Sequence, residues 1–210
     1  MNEGNIHSGH RARLREKADK YGIGSLADHE IVDLRLFDAL PRVDTNRIAH
    51  ELIDRFGSVF EVITAEKQEL TKTRGVGSKA ADAIRMTAEI TAVSAANEIA
   101  KEKISDKCQI EEYCKWRLLM MPVDTVLVIC INKKSMISET LTILPNNAGS
   151  DNNIFDAIRT LAKKAKTNEV VIAHSHGNHK TKPSAEDIAS TAKLCRLLEQ
   201  NGIMLAAHII

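Results

Sequence analysis

Four side chains able to do metal or acid–base chemistry lie close together in the run AHSHGNHKTKPSAEDIAST, residues 173–191. They are His174, His176, Ser184 and Asp187, spaced as H-x-H, seven residues, S-x-x-D. Two neutral imidazoles and one carboxylate are the donor set that a catalytic Zn²⁺ takes, with a fourth position left for water. The chemistry implied is metal-assisted hydrolysis, with one zinc per chain held by His174, His176 and Asp187.

The flanking residues must bring these groups together. Val170-Val171-Ile172-Ala173 reads as a short buried strand, and Ala185 through Leu198 as an amphipathic helix. Side chains two apart on a strand share a face, so the two imidazoles are expected side by side. The loop from Gly177 to Pro183 turns the chain back, and Asp187 falls in the first turn of the helix. Each part also has a simpler reading. Ser184 after Pro183 suits a helix N-cap, and the acidic residues suit the positive end of the helix dipole. A single His at a strand end is more often a surface or core residue than a ligand. The pair facing a helix-borne carboxylate is what favours metal binding. His179, in the same loop, is expected to be solvated.

Around this run the pattern alternates between strands and helices. Ile110–Met120 reads as a helix stopped near Pro122, followed by strands at Thr125–Asn132 and Met136–Leu144 with a turn at Lys133-Lys134. Asn146–Asp151 is expected as a turn, Ile154–Lys166 as an amphipathic helix, and Ile203–Ile210 as a closing strand. Residues 1–100 are helical: a polar arm leads into a basic helix, Arg11–Lys20, and Asn46–Phe56 repeats apolar residues every three or four positions before Gly57. A helix is expected at Ala80–Ile90, and the charged segment Ala95–Lys107 as a connecting helix or linker. The fold class is α/β (α+β): an all-helical domain over 1–100, then a helix–sheet–helix sandwich with a mixed sheet over 101–210.

Between Leu70 and Ala80 the chain reads Thr73-Arg74-Gly75-Val76-Gly77-Ser78-Lys79. Two glycines flanking an apolar residue permit a tight turn, and the next helix presents backbone N–H groups to an anion. Gly75, Val76, Gly77 and Lys79 could thus hold a DNA phosphate without reading sequence, helped by Arg74, Lys72 and Arg85 and by the arm at Arg11–Arg15. Equally, the turn could be a packing hairpin with Val76 in the core.

Composition excludes several classes. The first 100 residues carry 14 Lys+Arg against 16 Asp+Glu, so no strongly basic domain announces nucleic-acid binding. Four cysteines, at 108, 114, 130 and 195, show no short pairing and read as free, mostly buried thiols in a reducing compartment. No apolar stretch approaches the length of a membrane span, and no signal peptide precedes Arg11. The expectation is a soluble, cytoplasmic protein with no membrane partner.

The H-x-H…S-x-x-D run resembles the JAMM motif of the MPN (JAB) metallopeptidase fold. GHRARLREKADKYG, LTKTRGVGSKAADAIRM and the closing LAAHII extend the likeness, and the chain resembles the RadC family over nearly its whole length. That resemblance implies a helix-hairpin-helix region followed by a JAB/MPN-like domain, an association with DNA repair, and cleavage of a peptide or isopeptide amide in a peptide or protein substrate. It assigns zinc to His174, His176 and Asp187, oxyanion stabilisation to Ser184, and water activation to a Glu ahead of the first strand. Asp124 stands at that Glu position. Its carboxylate is one methylene shorter, and it also reads as a turn residue after Pro122; Glu139 is the reserve base. RadC proteins usually read H-N-H-P-S-G where this chain has His174-Ser175-His176-Gly177-Asn178-His179. Family members also continue past the position of His208, so the sheet edge is expected to be incomplete. The alternative to an enzyme is a DNA-binding accessory protein with a structural or vestigial metal site.

Overall fold

A computed structural model describes residues 4–148, 151–176 and 182–210. The chain divides into two compact units, 1–91 and 92–210. The sequence-based division at 100/101 falls at the end of a helix, whereas the compact units divide at 91/92 within it.

The first unit is helical: α1 (Gly4–Tyr21), α2 (Asp28–Ala39), α3 (Thr45–Phe56), α4 (Val59–Thr64), α5 (Lys67–Leu70) and the first part of α6 (Ser78–Ala100). Caps set the boundaries. Asp44 accepts from the Asn46 N–H ahead of α3, and Ser58 accepts from the Glu61 N–H ahead of α4. Gly57, at φ 93°, closes α3 by donating its N–H to the Ile53 carbonyl. Leu36, Leu52, Val62, Leu70 and Ile84 form the core. The basic helix is longer than expected, beginning at Gly4 rather than Arg11, and is structural in part. Arg11 donates to the carbonyls of Phe37, Leu40, Pro41 and Val43, satisfying groups left open where α2 ends.

The second unit is built on a four-stranded mixed sheet of order β2-β1-β3-β4. Its strands are β1 (Val126–Ile131), β2 (Ile137–Ile143), β3 (Glu169–His174) and β4 (Met204–Ile209). β1 runs antiparallel to both β2 and β3, and β4 runs parallel to β3. Central β1 and β3 are apolar on both faces because helices cover both. On one face Val128, Cys130, Val170 and Ile172 pack on Ile158 and Leu161 of α9 (Asp151–Ala165) and on Leu194 and Leu198 of α10 (Ala185–Gln200). On the other, Leu127, Ile129, Val171 and Ala173 pack on Ala96 of α6 and on Ile110 and Tyr113 of α7 (Lys107–Leu118). The expected helix–sheet–helix sandwich with a mixed sheet is present.

Three boundaries differ from the sequence reading. The α6 helix runs on to Ala100 instead of ending near Ile90, because residues 78–100 hold no Gly or Pro and are rich in alanine. The α7 helix starts at Lys107 rather than Ile110, since Asp106 caps it through the Gln109 N–H. The expected turn at Asn146–Asp151 contains a short helix, α8 (Pro145–Ala148), and α9 begins at Asp151. The cysteines are unpaired: Cys114 and Cys130 are buried, Cys108 is exposed and Cys195 partly so. Burial pushes the Cys114 thiol up to about 12 and that of Cys130 to about 11. Among the described residues no helix is long and apolar enough to cross a membrane.

Candidate metal centre

Strand parity aims the first imidazole. Val170 and Ile172 face α9 and α10, so His174, two residues on, faces the same way at the end of β3. His176 follows just past the strand. From the other side, Ser184 caps α10 and Asp187 occupies its first turn. The three groups converge: His174 Nε2 lies 2.7 Å from His176 Nε2 and 3.2 Å from Asp187 Oδ1, and His176 Nε2 lies 3.2 Å from Asp187 Oδ2. Each side chain is largely but not wholly covered, at 11% exposure for His174, 16% for His176 and 17% for Asp187.

A metal fits this donor set. Zn–N and Zn–O distances near 2.0–2.1 Å with tetrahedral angles imply ligand separations of about 3.3 Å. The two imidazole–carboxylate spacings lie within about 0.1 Å of that value, the imidazole pair would have to open by about 0.6 Å around the ion, and the donors are the two nitrogens and one oxygen that zinc accepts. The charge state suits as well. Burial, first, lowers the His174 pKa, opposed by the Asp187 charge, so its imidazole stays neutral and able to ligate. Asp187 is held at about 2, chiefly by the Ser184 hydroxyl.

The simpler reading of Ser184 and the functional one turn out to share the same hydrogen bonds. The Asp187 N–H donates to Ser184 Oγ at 3.1 Å, and the Ser184 N–H donates back to Asp187 Oδ2 at 2.6 Å, a complete capping box. The Ser184 hydroxyl donates its proton to the same Oδ2 at 2.5 Å. That bond orients the carboxylate toward the imidazoles. To donate to an oxyanion instead, the hydroxyl must rotate away from Asp187.

Two residues that the sequence reading did not single out complete the centre. His208 Nε2 lies 2.8 Å from His174 Nδ1, and His208 Nδ1 lies 2.6 Å from Thr191 Oγ1. The Thr191 hydroxyl donates to the Asp187 carbonyl at 2.6 Å. Burial, with the neighbouring His174, pushes the His208 pKa down to about 4. His208 was visible in LAAHII, but nothing in that string shows which face of β4 it takes.

Asp124 precedes β1, whose Val126 pairs with His174. It adopts a left-handed conformation, φ 62°, which Asp tolerates better than most residues, and its N–H donates to the Ser175 carbonyl at 2.8 Å. Its side chain is exposed, and its charge acts on His174. Glu139 pairs with Cys130, four residues along β1 from Val126. At about 3.3 Å per residue it lies roughly 13 Å toward the opposite end of the sheet, and it bonds Lys164 at 3.1 Å. It is therefore not placed to act as a base. His179 and Gly177 lie outside the described residues.

The hairpin in the helical unit forms as a tight turn. Gly75 has φ 89°, and a Cβ there would meet Ile48 Cδ1 at 2.7 Å. Val76 is buried in the core, as the packing reading anticipates. Gly77 faces open space and Lys79 is exposed. Of the supporting cations, Lys72 pairs with Glu69, and Arg85 donates to the Ala65 carbonyl at 2.6 Å.

Comparison with known proteins agrees with the architecture. The family model for the RadC-like JAB domain matches residues 104–210. A UPF0758 protein of Fusobacterium nucleatum is 26% identical over 97% of this chain and 91% of its own length. A UPF0758 protein of Ruegeria pomeroyi is 26% identical over 96% of this chain and 90% of its own. One of Rhodobacter capsulatus is 25% identical over 94% and 92%. With the family model covering half the sequence and the sheet, its two helical layers and the His-x-His strand end all in place, this chain belongs to the RadC-like JAB domain family.

Proposed function

We propose that this protein is a zinc-dependent hydrolase of the JAMM type that cleaves a peptide or isopeptide amide. The observation that carries the reading is the convergence of His174, His176 and Asp187 at ligand spacing, partly open to solvent. Zinc held there would lower the pKa of a water molecule toward neutrality and polarise a carbonyl. The protein supplies the rest. Asp124, exposed beside the strand end, accepts the proton of the attacking water and passes it to the leaving amine. The Ser184 hydroxyl fixes Asp187 and, once rotated, donates to the oxyanion, a contact worth about 3 kcal/mol when well placed. Beside His208, Thr191 and Ile188 opens a cavity of about 600 Å³, also bordered by Lys107 and Glu111 and lined by none of the three candidate ligands.

The test is cleavage of a mixed peptide library, read by mass spectrometry, by the zinc-loaded full chain. Cleavage should vanish with a chelator, return with zinc, and fall about 10²-fold or more in Asp124→Asn, whose zinc content is unchanged. Cleavage by the wild type no greater than by His174→Ala would overturn the reading.

A second reading, non-sequence-specific DNA binding, is favoured by Arg74 and Lys79, which flank the Gly75-Val76-Gly77 turn, are exposed, and have no ion-pair partner among the described residues. So few phosphate contacts predict weak, salt-sensitive binding. A gel-shift titration across salt tests it: Lys79→Ala should weaken binding and flatten the salt slope by about one unit. An unchanged slope contradicts it.

A further inference from the structure

His208 faces the centre only because β4 is irregular. Val170 pairs with Leu205, but Val171 pairs with Ala207, so Ala206 is an extra residue in the ladder. Leu205 lies on the α10 face and Ala207 on the α7 face. In a regular strand the register would run Val171 to Ala206 and Ala173 to His208, turning the imidazole toward α7. One inserted residue reverses the alternation and places His208 opposite Ile172, on the face that carries His174.

The hydrogen bonds then fix where protons sit. A threonine hydroxyl has one proton, and a carbonyl oxygen has none to give. The Thr191–Asp187 bond therefore takes the hydroxyl proton, and the Thr191 oxygen can only accept from His208 Nδ1. With Nδ1 protonated, neutral His208 presents a bare Nε2, which accepts from His174 Nδ1–H. What remains on His174 is an unprotonated Nε2 aimed at His176 and Asp187. Reversing the chain would put a proton on that nitrogen and block it as a ligand.

We propose that His208, seated by the β4 bulge and anchored by Thr191, is a positioning residue that holds His174 in its Nδ1–H tautomer so that Nε2 is free to bind metal. This rests on the metal reading above, but the tautomer is a property of the protein without metal. Proton–nitrogen correlation NMR of the full, metal-free chain labelled at histidine reads it directly near neutral pH. The expected result is a protonated Nδ1 and a bare Nε2 on His174; a protonated Nε2 overturns the proposal.

Zinc titration gives a second readout. His208→Leu should bind zinc about 10–100-fold more weakly than wild type. His208→Gln, whose side-chain carbonyl can take the same N–H, should recover most of that loss. Equal zinc affinity for wild type and the folded His208→Leu variant would also overturn the proposal. A chain that takes no zinc but shows the expected tautomer would sink the metal reading while leaving this assignment intact.

Discussion

The polar side chains of the helical unit and those at the end of β3 do opposite things with their hydrogen bonds. In residues 1–91 they turn inward on the chain itself. Arg11 closes four carbonyls around the end of α2, Arg35 reaches Thr87 and the Ala83 carbonyl, and Arg55 joins Glu69. Those bonds stabilise a fold and call for no ligand. Near α10, Ser184 instead orients the Asp187 carboxylate, and His208, anchored by Thr191, orients His174, so that the two groups face each other. In this second arrangement, two imidazole nitrogens and a carboxylate converge as a donor set that could hold a metal ion. Having many polar residues does not mark a functional site; having their free valences converge does.

The contrast can be broken most severely at the centre itself. Replacing His174 by Ala should take zinc content from about one per chain to near none, while far-ultraviolet circular dichroism stays unchanged. Metal analysis after expression in zinc-rich medium decides it; equal zinc in variant and wild type contradicts the contrast. In the helical unit the corresponding lesion is Gly75→Ala. A Cβ at φ 89° that meets Ile48 should lower unfolding free energy by about 1–3 kcal/mol in urea, with zinc content unaltered. Loss of zinc in that variant would show that the centre depends on the hairpin.

Smaller effects sharpen the same division. Ser184→Ala should remove about 1 kcal/mol of stability through the lost cap. The same change should weaken zinc binding about tenfold through the freed carboxylate. If only stability falls, the serine is a cap alone. The pH dependence of the metal-free protein is subtler. His208 sits at about 4 in the fold against an ordinary 6.5, so the unfolded chain binds the proton more readily. Its contribution to stability is full above about 6.5 and is lost as pH falls through about 4. Asp187, held at about 2, contributes above its usual 3.8 and loses this only in stronger acid. Urea unfolding across pH should therefore show a first decline below 6.5 that is smaller in His208→Gln. A flat profile from 6.5 to 4 would contradict this assignment.

Much of this was legible in the sequence, for identifiable reasons. Apolar runs bounded by turn residues located β1, β2 and β3 to within a residue or two, and S-x-x-D after proline located the start of α10. His174 and Asp187 could be placed because strand parity and first-turn placement are local rules, whereas His176, expected on the same strand, lies just past its end. His208 could not be placed, since the bulge at Ala206 reverses the parity that a regular strand would give it, and bulges leave no clear mark in LAAHII. The reserve base, Glu139, failed for a similar reason: only the β1–β2 register shows it at the opposite end of the sheet from His174. The role of Arg11 was hidden too, because a basic arm looks the same whether it meets phosphate or the chain's own carbonyls.

The most direct test of the central claim is X-ray absorption at the zinc edge on the purified full chain. The account predicts a first shell of nitrogen and oxygen at about 2.0–2.1 Å, with the multiple-scattering signature of two imidazoles and no sulfur. A sulfur shell near about 2.3 Å, or zinc without imidazole scattering, would place the metal elsewhere and contradict it.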